Sequence, residues 1–171
     1  LSYTKEFLDR CKTLAIKLVV LPLLEKSDLN DSSKSQIVPF LKEIKEYIDG
    51  YDIVIAIESI AKPITLIEVL EELNNKKFGC VYDTGNRANK LNIQDQEIIS
   101  LAKYINHIHL KDKDNNKKNV VLGSGIVDFK KIFLALTKIN YKGYYSLETN
   151  RGDDPIKTGK KNLNLIEFFI N

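Results

Sequence analysis

Short apolar runs alternate with longer amphipathic ones from one end of the chain to the other. The runs "KLVVLP", "YDIVIAIES", "FGCVYDTGN", "INHIHLKD" and "GYYSLETN" are brief, and β-branched or aromatic residues recur in them. They predict strands starting near residues 17, 52, 78, 105 and 144. The longer stretches read as helices: "SYTKEFLDRCKTLA", "SKSQIVPFLKEIKEYI", "KPITLIEVLEELNNKK", "IQDQEIISLAKYI", "VDFKKIFLALTKI" and "KNLNLIEFFI". In the second helix, Ile37, Phe40, Leu41, Ile44, Tyr47 and Ile48 fall at helical spacing, with Pro39 expected in the first turn, where proline is tolerated. The most polar stretch, Lys111 to Asn119, predicts a loop after the fourth strand.

A strand-then-helix rhythm with a new strand every ~25–40 residues predicts a parallel sheet with helical crossovers. No linker or low-complexity segment divides it, so residues 1–171 read as a single domain. Two architectures fit: a doubly wound open sheet and a (β/α)₈ barrel. A closed barrel needs eight units and about 250 residues, so five units make only part of one.

Composition narrows the function classes. With 171 residues and 43% hydrophobic content the chain can bury a core. The net charge of +3 is modest, and the lysines are spread over helical stretches, which predicts solvated faces and no nucleic-acid partner. Cys11 and Cys80 suggest no disulfide framework and fit a reducing compartment, with Cys80 a small core residue. No apolar run is long enough for a membrane span, and no basic-then-apolar signal opens the chain, so the expected location is the cytoplasm. The chain opens on Leu1 and holds no methionine, which points to a processed chain or to part of a longer one.

Four of the five strands end in a residue able to hold a metal: Glu58 in "AIES", Asp83 in "YDTGN", His109 in "HIHLKD" and Glu148 in "SLET". Parallel α/β folds gather the C-terminal strand ends on one side, so groups far apart in sequence can converge there. Three carboxylates and one imidazole form a hard set that suits Mn²⁺ or Mg²⁺, with Co²⁺ or Zn²⁺ also compatible. Each member also has a plainer reading. A carboxylate at a strand end can cap a helix, a histidine can be structural, and Asp83 before Thr-Gly-Asn can make an Asx turn. The set together favours a metal more than any one member does.

The motifs "YDTGN", "HIHLKD", "VVLGSGIVDF" and "SLETNRG", in this order, resemble the xylose-isomerase-like TIM-barrel superfamily, and most of all its sugar-phosphate isomerase/epimerase branch. The resemblance covers the whole chain and implies the last five β/α units of a barrel whose first three strands, about 80–100 residues, are absent. It implies that Glu58 and Glu148 are both metal ligands and the catalytic acid/base pair, and that Asp83 and His109 complete the ligand set. His107 shares a strand face with His109 one layer lower and is the poorer ligand. The implied activity is a metal-dependent sugar or sugar-phosphate isomerase or epimerase. Its metal would stabilise an enediolate while two opposed glutamates move protons.

The auxiliary residues carry weaker signals. Lys111 and Arg151 follow strand tips where a cation can grip a phosphate or hydroxyls, and Asp112 can orient Lys111 or a ligand from behind. Gly123 and Gly125 either bring N–H groups to a ligand or shape a loop. Many sugar epimerases of the superfamily carry a substrate-contacting histidine three residues after the aspartate ligand, where this sequence has Asn86. Asparagine can bond hydroxyls but cannot shuttle protons. The related abasic-site endonucleases need several zinc-binding histidines, whereas this chain has only two histidines. Two alternatives stay open: a keto-inositol dehydratase-like lyase on the same fold, and a non-catalytic half-barrel whose open strand edges invite pairing or homo-oligomerisation.

Overall fold

The computed structural model describes residues 1–88 and 93–170. The chain forms two compact units, Leu1–Val81 and Tyr82–Asn171.

In the first unit, α1 (Ser2–Thr13), β1 (Leu18–Leu23), α2 (Lys34–Tyr47), β2 (Val54–Ser59) and α3 (Pro63–Leu73) lead into β3 (Phe78–Asp83), which ends in the second unit. The strands are parallel: Leu18 pairs with Val54 and Leu23 with Ser59, and Ile55 pairs with Phe78 and Glu58 with Val81. Every strand tip of this unit therefore points the same way. From Ile55 to Ser59 strand β2 is buried without interruption, as expected for a parallel strand covered on both faces. Ile57, Leu41, Ile48, Val69, Leu73 and Cys80 are all fully buried, so Cys80 is the core residue that its apolar setting predicted.

Helix α2 departs from its expected phase. Asn30 Oδ1 accepts the N–H groups of Ser32 and Ser33, and Lys34 N–H bonds Asn30 O, so an Asx turn leads into the helix, which begins at Lys34, within one residue of its expected start. Pro39 lies inside the helix and not in its first turn. The buried stripe is Val38, Leu41, Ile44 and Ile48, while Ile37, Phe40 and Tyr47 are only half-buried.

In the second unit the end of β3 is followed by α4 (Gln94–Leu101) and β4 (Ile105–Leu110). A two-residue ribbon, β5 (Asp112–Lys113) with β6 (Asn119–Val120), comes next. Then follow α5 (Phe129–Lys138), β7 (Tyr144–Leu147) and α6 (Pro155–Ile170). Strands β4 and β7 are parallel, with His109 opposite Ser146 and Leu110 opposite Leu147. The segment predicted as a loop is therefore partly an antiparallel ribbon. Asp114 Oδ1 turns it by accepting from Asn116 and Lys118 N–H. Helix α6 starts earlier than expected. Asp154 accepts the N–H groups of Ile156 and Lys157, and Pro155 provides a first helical residue whose missing N–H costs nothing.

The five parallel strands with intervening helices make this a parallel α/β fold. Among the described residues no helix is long and apolar enough to cross a membrane.

Candidate metal centre

The tip of β3 is built around one carboxylate. Asp83 Oδ1 accepts the N–H groups of Gly85 (2.9 Å) and Asn86 (2.8 Å), an Asx turn that stops the strand. Its other oxygen, Oδ2, meets the Asn86 side-chain amide at 2.9 Å and the Lys111 ammonium at 2.8 Å. One oxygen makes the turn and the other is directed at the neighbouring strand tip, so the two readings of Asp83 are compatible.

Thr84 locks that tip to the end of β4. Its hydroxyl donates to Lys111 O (2.6 Å) and accepts from Lys111 N–H (2.9 Å), and its own N–H bonds His109 O. Below the turn, Gln94 Nε2 donates to Thr84 O at 2.6 Å. Arg87 and Glu97 form a buried ion pair at 3.0 Å that also takes the Tyr82 hydroxyl. Burial, and then the Glu97 charge, push the Tyr82 phenol well above its ordinary pKa. The base of the site is thus a set of satisfied polar groups in a dry environment.

Asp83, His109 and Glu148 each bring a ligand atom to within 4.8 Å of the others. His109 Nδ1 lies 2.9 Å from Glu148 Oε2 and 3.9 Å from Asp83 Oδ2. The parallel register of β4 and β7 delivers Glu148 to this point, and its N–H bonds Leu110 O at 3.0 Å. Two carboxylates and an imidazole at that spacing fit a hard divalent ion that keeps positions open to oxygen ligands. Glu58, the first of the four expected ligands, is the buried carboxylate at the tip of β2 in the first unit.

Lys111 has almost no exposure, and its ammonium bridges Asp83 Oδ2 and Glu148 Oε1 (2.7 Å). Burial opposes its charge, but the hydrogen bonds and charges of those two carboxylates prevail and hold its pKa above the ordinary lysine value. Its stem crosses the turn at Gly85, where a Cβ would meet Lys111 Cγ at 2.6 Å. Gly85 is thus required by close approach and not by a left-handed φ.

The other expected residues are placed as follows. His107 bonds the Ser146 hydroxyl at 2.7 Å, one layer below His109. Burial, and then the nearby His109, depress its pKa. Asn86 holds Asp83 with its amide N–H and takes the Lys113 ammonium on its Oδ1 at 2.8 Å. Arg151 is solvent-exposed beyond β7.

Asp112 is completely buried, and its carboxylate gathers a loop: Oδ1 accepts from Lys113 and Val127 N–H, and Oδ2 from Gly123 and Gly125 N–H. A Cβ on Gly125 would strike Asp112 Oδ1 at 2.2 Å, and Gly123 has φ +80°. The two glycines therefore shape a cradle for Asp112. Thr84, Gly85 and Lys113 were not singled out as site residues from the sequence. Their only sequence signal was membership of the "YDTGN" and "HLKDK" strings.

The family model described as xylose isomerase-like TIM barrel matches residues 1–167. The chain is 28% identical over 136 residues to the L-ribulose-5-phosphate 3-epimerase UlaE of Escherichia coli O157:H7, which covers 75% of this chain and 48% of that protein. It thus spans about half the length of the curated relatives it matches. Among solved structures, a xylose isomerase domain protein from Planctomyces limnophilus superposes with a TM-score of 0.81 at 19% identity, over 98% of this chain and 63% of the other. The IolI protein with a bound zinc atom does so at 0.78 and 22% identity, over 96% and 68%. An L-ribulose 3-epimerase gives 0.80 at 17% identity, over 98% and 66%. These likenesses give the TIM-barrel type to a chain with five parallel strands where a closed barrel has eight. With the family model matching nearly its whole length, the chain belongs to the xylose isomerase-like TIM barrel family.

Proposed function

We propose that the protein is a divalent-metal-dependent sugar or sugar-phosphate isomerase or epimerase. The observation that carries this reading is the convergence of Asp83, His109 and Glu148 at the tips of parallel strands. The curated relatives support it, being named as epimerases of a ketose phosphate. Asp83, His109 and Glu148 hold the ion, with Glu58 as the fourth ligand on the strength of its strand-tip position and burial. The oxygen-rich set favours Mn²⁺ or Mg²⁺.

A bound divalent ion supplies a Lewis acid for adjacent carbonyl and hydroxyl oxygens of a sugar. The remaining chemistry belongs to the side chains. One glutamate, Glu148 or Glu58, takes the proton from a carbon next to the carbonyl. The other returns a proton to the opposite face, giving epimerisation; return to the neighbouring carbon gives isomerisation. Asn86 and Lys113, bonded to each other beside Asp83, and the exposed Arg151 present polar groups to sugar hydroxyls or a phosphate.

The test uses the whole protein with Mn²⁺ and L-ribulose 5-phosphate in D₂O, followed by proton NMR. Deuterium entering carbon 3 without loss of water is the expected result. Loss of water would instead assign a lyase. Full turnover by Glu148→Gln with metal still bound would remove Glu148 from the proton-transfer role.

A further inference from the structure

We propose that Lys111 is a built-in counter-ion that competes with the divalent ion for Asp83 and Glu148, and so limits how tightly the metal is held. The proposal rests on the metal-site reading given above.

The Lys111 ammonium is 2.8 Å from Asp83 Oδ2 and 2.7 Å from Glu148 Oε1, so it takes one oxygen of each carboxylate. This placement is built into the backbone. The Thr84 hydroxyl clamps both the N–H and the carbonyl of Lys111, and Gly85 leaves the space through which the stem passes. With its side chain only 6% exposed, the ammonium is poorly screened by water. The neighbouring cation Lys113 is directed to Asn86, and Arg151 is exposed, so neither duplicates the contact.

Two consequences follow from charge alone. Without metal, the ammonium neutralises two carboxylates that would otherwise repel each other across the site. With metal, it either swings away from an oxygen the ion needs or stays within a few ångströms of a second cation. Both weaken binding. A phosphate-gripping lysine would instead keep its ammonium toward the substrate side, free of two carboxylates.

The experiment is calorimetric titration of Mn²⁺ into the metal-free whole protein, comparing wild type with Lys111→Met, Lys111→Gln and Lys111→Arg. Removing the charge is expected to tighten Mn²⁺ binding by at least about tenfold in both uncharged variants, whereas Lys111→Arg stays close to wild type. Circular dichroism identifies any variant that fails to fold, and either uncharged variant suffices. Unchanged or weaker binding in a folded uncharged variant overturns the counter-ion role and leaves Lys111 as a strut for Glu148. Absence of binding in every form overturns the metal-site reading, and this proposal with it. Wild-type binding without tightening overturns this proposal alone.

Discussion

Lys111 and Gly85 occupy one another's space. The lysine stem runs so close to the glycine that a Cβ on residue 85 would lie 2.6 Å from Lys111 Cγ and 2.9 Å from Lys111 Cβ. Those atoms are the near end of a buried side chain clamped at its backbone by Thr84, so they cannot yield as a mobile tip would. Gly85→Ala is expected to cost about 1–3 kcal/mol of stability, the range for overpacking. It should also shift Lys111 away from Asp83. Chemical denaturation measures the first effect and Mn²⁺ titration the second.

Asp112 is expected to matter for folding and not for turnover chemistry. Its carboxylate accepts four backbone N–H groups from residues 113 to 127. Asp112→Ala leaves those donors without their buried acceptor beneath a partly exposed loop and should cost about 2–4 kcal/mol. Asp112→Asn retains acceptor capacity on one oxygen only and should fall between. A thermal-melting series of the two variants checks the order.

Asp83→Asn separates the turn from the charge. Asparagine can keep an oxygen on Gly85 and Asn86 N–H, so the fold is expected to persist. Its amide cannot act as an anionic ligand and cannot pair with the Lys111 ammonium. Loss of Mn²⁺ affinity by more than about tenfold, with little change in circular dichroism, is the expected pattern. Wild-type affinity in this variant would remove Asp83 from the ligand set.

In the first unit, Asp9 accepts from Tyr51 (2.6 Å) and Tyr47 (2.8 Å) on the surface beside α1. The Tyr51 bond, then that of Tyr47, lowers the Asp9 pKa from its ordinary 3.8. A carboxylate whose pKa is depressed in the fold adds stability above its unfolded value, and that contribution disappears as pH falls through the lower folded one. Wild type should therefore lose more stability than Asp9→Asn on acidification below about pH 4. Parallel melting curves across that range measure the difference.

The sequence by itself determined the element order and the strand tips. All five parallel strands lie on the short apolar runs, and the most deeply buried of them, β2 and β3, are covered on both faces. It also showed that Glu58, Asp83, His109 and Glu148 stand at such tips. Local side-chain bonds altered what periodicity suggested: Asp154 moved the start of α6, and Asp114 folded a polar run into a ribbon. Tertiary structure decided how the neighbours of the expected ligands are used. Asp112 turned to a loop more than ten residues ahead, and Lys111 to carboxylates at the tips of two other strands. Spacing along a chain does not encode such choices. They depend on which backbone N–H groups and charges the folded strands leave within about 3 Å of a buried side chain.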